Sequence, residues 1–129
     1  MASRTVLIVD DSSVSRKILR SCLPKDRTFA LLEAADGEAG LSAHRAHRPE
    51  ITFLDLTMPG MDGFACLAEI RSSSPDAVVV VVTADVQTQS LERALQLGAM
   101  EILKKPPSKE TVGAVLARAE ARLGLADGA

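Results

Sequence analysis

Tryptophan and tyrosine are absent from this sequence, and phenylalanine occurs only three times. That scarcity argues against a single-stranded nucleic-acid platform, which needs several rings for stacking. A basic field is missing too: 15 Lys and Arg face 17 Asp and Glu, for a net charge of −2. Without one, neither nucleic acid nor an anionic membrane is expected as a partner. There are two cysteines, Cys22 and Cys66, and neither has a metal-ligand spacing. Both are expected as reduced, partly buried thiols on different helices, not as a disulfide. The longest apolar run, Ala77 to Val82, is far short of the ~20 residues of a membrane-spanning helix. Met1 to Arg4 lead directly into an apolar strand, with no signal-like stretch. The expected location is therefore the cytoplasm.

What is present is a repeating alternation. Five β-rich runs recur, Thr5–Val9, Ala30–Glu33, Ile51–Leu54, Val78–Thr83 and Glu101–Lys104. The intervals between them are long enough for one helix and two loops, which is the crossover that parallel strands require. Val6 to Val9 and Val78 to Val82 are continuously apolar, as befits strands covered on both faces. Helical periodicity fills the gaps. Val14, Ile18 and Cys22, with Leu19, follow the cap candidates Ser12 and Ser13. Phe64, Leu67 and Ile70 follow Asp62-Gly63. Leu91, Ala94 and Leu95 precede Gly98, a helix terminator. Val112, Val115, Leu116, Ala119 and Leu123 follow Ser108. The faintest helix spans Gly37 to His47, because Gly40 and His44 stand where apolar residues belong. His44 and His47 are read as surface or helix-end residues. The order predicts one α/β domain over 4–124, with helices on both faces of a parallel sheet. A short frayed tail is expected over 125–129.

In such sheets, ligands bind beyond the carboxyl ends of the strands. The first strand ends in Asp10-Asp11, the third in Asp55, the fourth in Thr83-Ala84-Asp85 and the fifth in Lys104-Lys105-Pro106. The second ends in a plain turn, Ala34 to Gly37. Taken singly, each residue has an ordinary explanation: a helix cap, a strand-ending threonine, a solvated lysine. Together they put three carboxylates, a hydroxyl and an ammonium at one sheet edge. Clustered carboxylates repel one another, and a hard divalent cation such as Mg²⁺ resolves the conflict. A carboxylate can also accept a phosphoryl group covalently, and Lys105 would offset charge on that group.

These residues resemble the response regulator receiver domains, including the CheY-like proteins. The matching stretches are Val6 to Ser12, Asp36-Gly37, Asp55 to Gly63, Val82 to Ala84, Gly98-Ala99 and Lys105-Pro106. The resemblance covers about Val6 to Leu123. It implies a flavodoxin-like (βα)5 doubly wound five-stranded parallel sheet, order 2-1-3-4-5. It implies Asp55 as phosphoacceptor, Asp11 as a direct Mg²⁺ ligand, Asp10 acting through water, and Thr57 lending its backbone carbonyl. Thr83 corresponds to the switch hydroxyl and Lys105 to the phosphate-facing lysine. The Lys105–Pro106 peptide is similar to one that is cis in relatives. Lys104 has no such role and reads as a surface charge. The implied phosphodonor is a histidine kinase phosphohistidine or a small acyl phosphate. Such a protein catalyses only its own phosphotransfer and dephosphorylation. Signalling to a downstream protein, not identifiable from sequence, would run through the face of the fourth helix, fifth strand and fifth helix. With no output domain in view, a single-domain regulator is expected.

Two departures from the family pattern matter. Ile102 stands where relatives often carry an aromatic ring, and it is smaller and stiffer at χ1. A subtler switch is therefore expected, involving Ala84, Asp85, Ile102 and Pro106. Pro107 stands where relatives often have Phe, and it should stiffen the start of the last helix. Thr57 and Asp85 stand two residues beyond Asp55 and Thr83, where the family tunes attack of water on the phosphoryl group. An aspartyl-nucleophile phosphatase is not supported, since it needs a second Asp where Thr57 stands. Nor is a dinucleotide site, since Asp10-Asp11-Ser12-Ser13 replaces its glycine-rich turn.

Overall fold

The apolar runs form strands that alternate with helices along the chain. The order is β1 (Arg4–Val9), α1 (Ser13–Cys22), β2 (Phe29–Ala34), α2 (Gly37–His47), β3 (Ile51–Leu54), α3 (Gly63–Ser73), β4 (Val78–Thr83), α4 (Thr88–Gln96), β5 (Glu101–Lys104) and α5 (Lys109–Ala126). This computed structural model describes residues 4–126, apart from 27, 59, 85 and 86. The strands pair in the order β2-β1-β3-β4-β5, all parallel. This is the flavodoxin-like architecture expected above. None of the described helices is long and apolar enough to cross a membrane.

Because successive strand residues face opposite sides, the sheet supports two apolar layers. Val6, Ile8, Phe53, Val80 and Val82 pack with Leu19 and Cys22 of α1 and with Val112, Val115, Leu116, Ala119 and Leu123 of α5. Leu7, Val9, Leu54, Val79 and Val81 pack with Leu41 of α2, Cys66, Leu67 and Ile70 of α3, and Ala94 of α4.

Helix starts are fixed by side chains that accept from otherwise orphaned N–H groups. Ser12 accepts from Ser15, Asp36 from Ala39 and Asp62 from Phe64. Ser108 and Thr111 cap each other reciprocally. After α4, Gly98 takes φ +107°. Its N–H donates to the Leu95 carbonyl while Ala99 N–H donates to Ala94, at 3.1 Å each. This is the Schellman arrangement, which a β-carbon at that φ would strain.

Several expectations need correction. Val14 and Ile18 are exposed, at 65% and 39%, and Leu95 is half exposed. The buried lines run instead through Leu19 and Cys22 on α1 and through Ala94 on α4. A strict four-residue spacing overruns the 3.6-residue turn, so such a stripe drifts off the sheet-facing side. His44 is not a surface residue: it is 1% exposed. Its place in the helical period turns it inward, and periodicity overrides the polarity of the ring. Cys22 and Cys66 are free thiols and both are buried, not partly buried. Helix α5 continues through 124 to Ala126, past the expected end of the domain. The rest of the expected tail, 127–129, lies outside the described residues.

Candidate functional site

The ladder hydrogen bonds run one residue past the strand ends, and this sets the site. Asp10 N–H donates to the Ala34 carbonyl, Asp55 N–H to Val9 and Lys105 N–H to Thr83, each at 3.0 Å. Side chains that follow β1, β3 and β5 therefore emerge at the same edge. Carboxylate oxygens of Asp10, Asp11 and Asp55 come within 4.8 Å of one another. Asp10 and Asp55 are buried and Asp11 is exposed. The Lys105 ammonium reaches into the cluster, with Nζ 2.8 Å from Asp10 Oδ2 and 3.4 Å from Asp55 Oδ2. Thr83 is 1% exposed at the end of β4.

Secondary contacts hold the acids in place. Ser12 N–H donates to Asp10 Oδ1 at 2.9 Å. Both the N–H and the hydroxyl of Thr57 donate to Asp55 Oδ1, at 3.2 Å. The hydroxyl contact is not legible in the sequence, since the residue type alone does not say which acceptor it reaches. At α3, a methyl placed on Gly63 would lie 2.5 Å from Leu56 Cα and 2.8 Å from the Asp55 carbonyl oxygen. Glycine is therefore what lets the start of α3 close on the loop after Asp55.

Burial raises the Asp55 carboxyl above its ordinary pKa, against the lowering pull of the Thr57 N–H and Lys105. For Lys105, burial acts downward, but the hydrogen bond to Asp10 and the charges of Asp55 and Asp10 outweigh it, and its pKa rises. The carboxylates thus favour the charged form of Lys105, while Lys105 only partly opposes the burial that raises Asp55.

Of the other residues singled out, Ala84 and Pro106 are exposed and Ile102 is half-buried against the second apolar layer. The Lys105–Pro106 peptide is cis. Asp85 lies outside the described residues. A cavity of about 260 Å³ opens beside the cluster. Asp10, Asp55 and Lys105 form its polar end, and Ile18, Leu19 and Pro107 its apolar wall.

The donor set fits Mg²⁺. The oxygens are hard, and Mg²⁺–O bonds of about 2.1 Å put octahedral ligands up to ~4.2 Å apart, close to the spread of this cluster. The three acids also carry more negative charge than Lys105 alone offsets.

Comparison with known proteins gives the family and the fold. A family model described as the response regulator receiver domain matches residues 6–117. The chain is 33% identical over 106 residues to the chemotaxis protein CheY of Bacillus subtilis, covering 82% of this chain and 88% of that one. It is 36% identical over 113 residues to protein-glutamate methylesterase/protein-glutamine glutaminase 2 of Nitratidesulfovibrio vulgaris. That match covers 86% of this chain but 31% of the longer protein, so the chain spans only part of such relatives. Among solved structures, it is similar to the CheX–CheY–BeF3–Mg²⁺ complex from Borrelia burgdorferi. The TM-score is 0.79 at 32% identity, covering 92% of this chain and 87% of that one.

Proposed function

Because the chain belongs to the response regulator receiver domain family, we propose that it is a phosphorylation switch whose phosphoacceptor is Asp55. The observation that carries this reading is the Lys105 ammonium lying within 3.4 Å of Asp55 and 2.8 Å of Asp10, at the edge where the three carboxylates meet.

A carboxylate oxygen of Asp55 attacks the phosphorus of a phosphohistidine on a histidine kinase. The P–N bond breaks, the electron pair leaves with the imidazole, and an aspartyl phosphate forms. Before the step Lys105 opposes the burial that raises the Asp55 carboxyl, and after it Lys105 donates to a phosphoryl oxygen. The Thr83 hydroxyl donates to another phosphoryl oxygen, and the loop that carries Ala84 follows it. Asp11, Asp55 and the Thr57 carbonyl would hold Mg²⁺, with Asp10 acting through water. The ion supplies positive charge that offsets the acids and the incoming phosphoryl oxygens. Ile102, half-buried next to β4, conveys the change to the face formed by α4, β5 and α5. A downstream protein binds there.

Val14 and Ile18 stand exposed on α1, and Ile18 lines the cavity beside the acids. An exposed apolar side chain such as Ile18 at the cavity that holds the acceptor suits docking of a donor protein, which would exclude water from the transfer.

Incubation with radiolabelled acetyl phosphate and Mg²⁺ tests the proposal. The wild type takes up one label per chain, and Asp55→Asn takes up none. Label that persists in Asp55→Asn, or a wild type labelled neither by acetyl phosphate nor by a kinase panel, would overturn it.

A further inference from the structure

We infer that Arg16 is a positioning residue for the turn between β1 and α1, and that Glu33 on β2 holds Arg16 in place. The inference rests on the proposed Mg²⁺ site and assigns to it two residues outside the acidic cluster.

Arg16 Nη1 donates to the backbone carbonyl of Asp10 at 2.6 Å, and its Nε donates to Glu33 Oε1 at 2.9 Å. The Arg16 side chain is 18% exposed. The other carboxylate oxygen of Glu33 is taken by Arg20. A continuous tie therefore runs from the edge strand through Glu33 and Arg16 to the turn that carries Asp10 and Asp11. With Ala34 accepting from Asp10 N–H and Ser12 N–H donating to the Asp10 carboxylate, Arg16 completes the set. The N–H, carbonyl and side chain of Asp10 are each held. Asp11 is exposed on the same turn, so its direction follows from how Asp10 is held. A planar guanidinium bridges two acceptors on different edges at fixed geometry, which a lysine ammonium on a flexible stem does not reproduce. Strand β2 contributes no carboxylate to the site; its contribution is this brace.

The sign of the effect separates positioning from simple electrostatics. A cation near a metal site repels Mg²⁺, so charge alone predicts tighter binding when Arg16 is removed. Positioning predicts the reverse.

Isothermal titration with MgCl2 reads the affinity, and urea melts without Mg²⁺ check the fold. Arg16→Ala is expected to weaken Mg²⁺ binding about tenfold, the usual cost of losing an outer partner of a metal ligand. Arg16→Lys keeps the charge and is expected to weaken it as well. Glu33→Gln is expected to weaken it less, and to add nothing on top of Arg16→Ala. Arg20→Ala removes a like charge from the same carboxylate without touching the turn, and stays within about twofold. Unchanged or tighter binding in folded Arg16→Ala overturns the inference. If that variant does not fold, wild-type affinity in Arg16→Lys overturns it. An equal loss in Arg20→Ala, which leaves the Asp10 turn untouched, does so too, by showing that the loss does not come through the Arg16 contact with the Asp10 carbonyl. A wild type that binds no Mg²⁺ overturns the metal site itself, and this inference with it.

Discussion

On the α1/α5 side of the sheet, bulky side chains do the packing: Leu19, Phe53, Val115, Leu116 and Leu123 fill the layer. On the α2/α3/α4 side, small residues share the work with large ones. Ala34, Cys66, Ala94 and Ala99 lie in that layer. Glycines bring backbone against its neighbours there: a methyl on Gly40 would sit 2.9 Å from the Val9 methyls, and one on Gly63 would meet the backbone of Leu56 and Asp55. The same layer holds a buried imidazole. Among the described residues, His44 Nε2 and Thr52 Oγ1 are buried without a hydrogen-bond partner. One layer is thus filled by side-chain volume, the other partly by close backbone approach. The first should suffer from losing atoms and the second from gaining them.

Removing volume from the first layer has the largest expected effect. Leu116 is fully buried, and Leu116→Ala should cost about 3 kcal/mol through lost burial and the cavity left behind. Urea melts measure it; a cost below about 1 kcal/mol would mean that this layer collapses freely around the gap.

Adding volume to the second layer comes next. Helix propensity favours alanine over glycine by about 1 kcal/mol, so Gly63→Ala would stabilise an unconstrained helix. Here the added methyl meets backbone, which cannot rotate away, and a net loss of about 2 kcal/mol is expected. Acetyl phosphate labelling should fall as well, because the displaced backbone belongs to Asp55 and Leu56. A stabilised variant with wild-type labelling would erase the contrast between the layers.

The buried imidazole gives the smallest effect. Burial, and then the charge of Arg48, hold the His44 pKa below its ordinary value. The unfolded chain takes up this proton first, near pH 6.5. Stability from the neutral ring is complete above that pH. It declines as the pH falls toward the lower folded-state value. The slope is at most about 1.4 kcal/mol per pH unit. His44→Leu should show a shallower fall between pH 7.5 and 5.5 in urea midpoints. Identical slopes would mean that His44 is protonated in the folded protein at little cost.

The same contrast explains what could be read from the chain. The stripe Val112, Val115, Leu116, Ala119 and Leu123 appears as expected, because packing by side-chain volume leaves an apolar period. Helix α2 was the faintest, although its bounds, Gly37–His47, match the expectation. Its buried positions include Gly37, Gly40 and His44, none of which registers as apolar. Cys66 is buried by the same close packing, which pushes its thiol up to about 11 and keeps it protonated. The acidic residues and Lys105 were legible as a group because each follows a strand, and parallel strands end at one edge. Arg16 and the Thr57 hydroxyl were not, since nothing in their residue types says which acceptor they reach.

By itself, the sequence determined the alternation of elements, the strands covered on both faces and the edge at which the acids gather. Those follow from periodicity and chain direction, which are local. Tertiary structure alone decided which face of α1 is buried, that His44 turns inward, and that an arginine braced from the edge strand pins the Asp10 turn. Each of these depends on contacts between segments far apart in the chain, whose geometry no local pattern encodes.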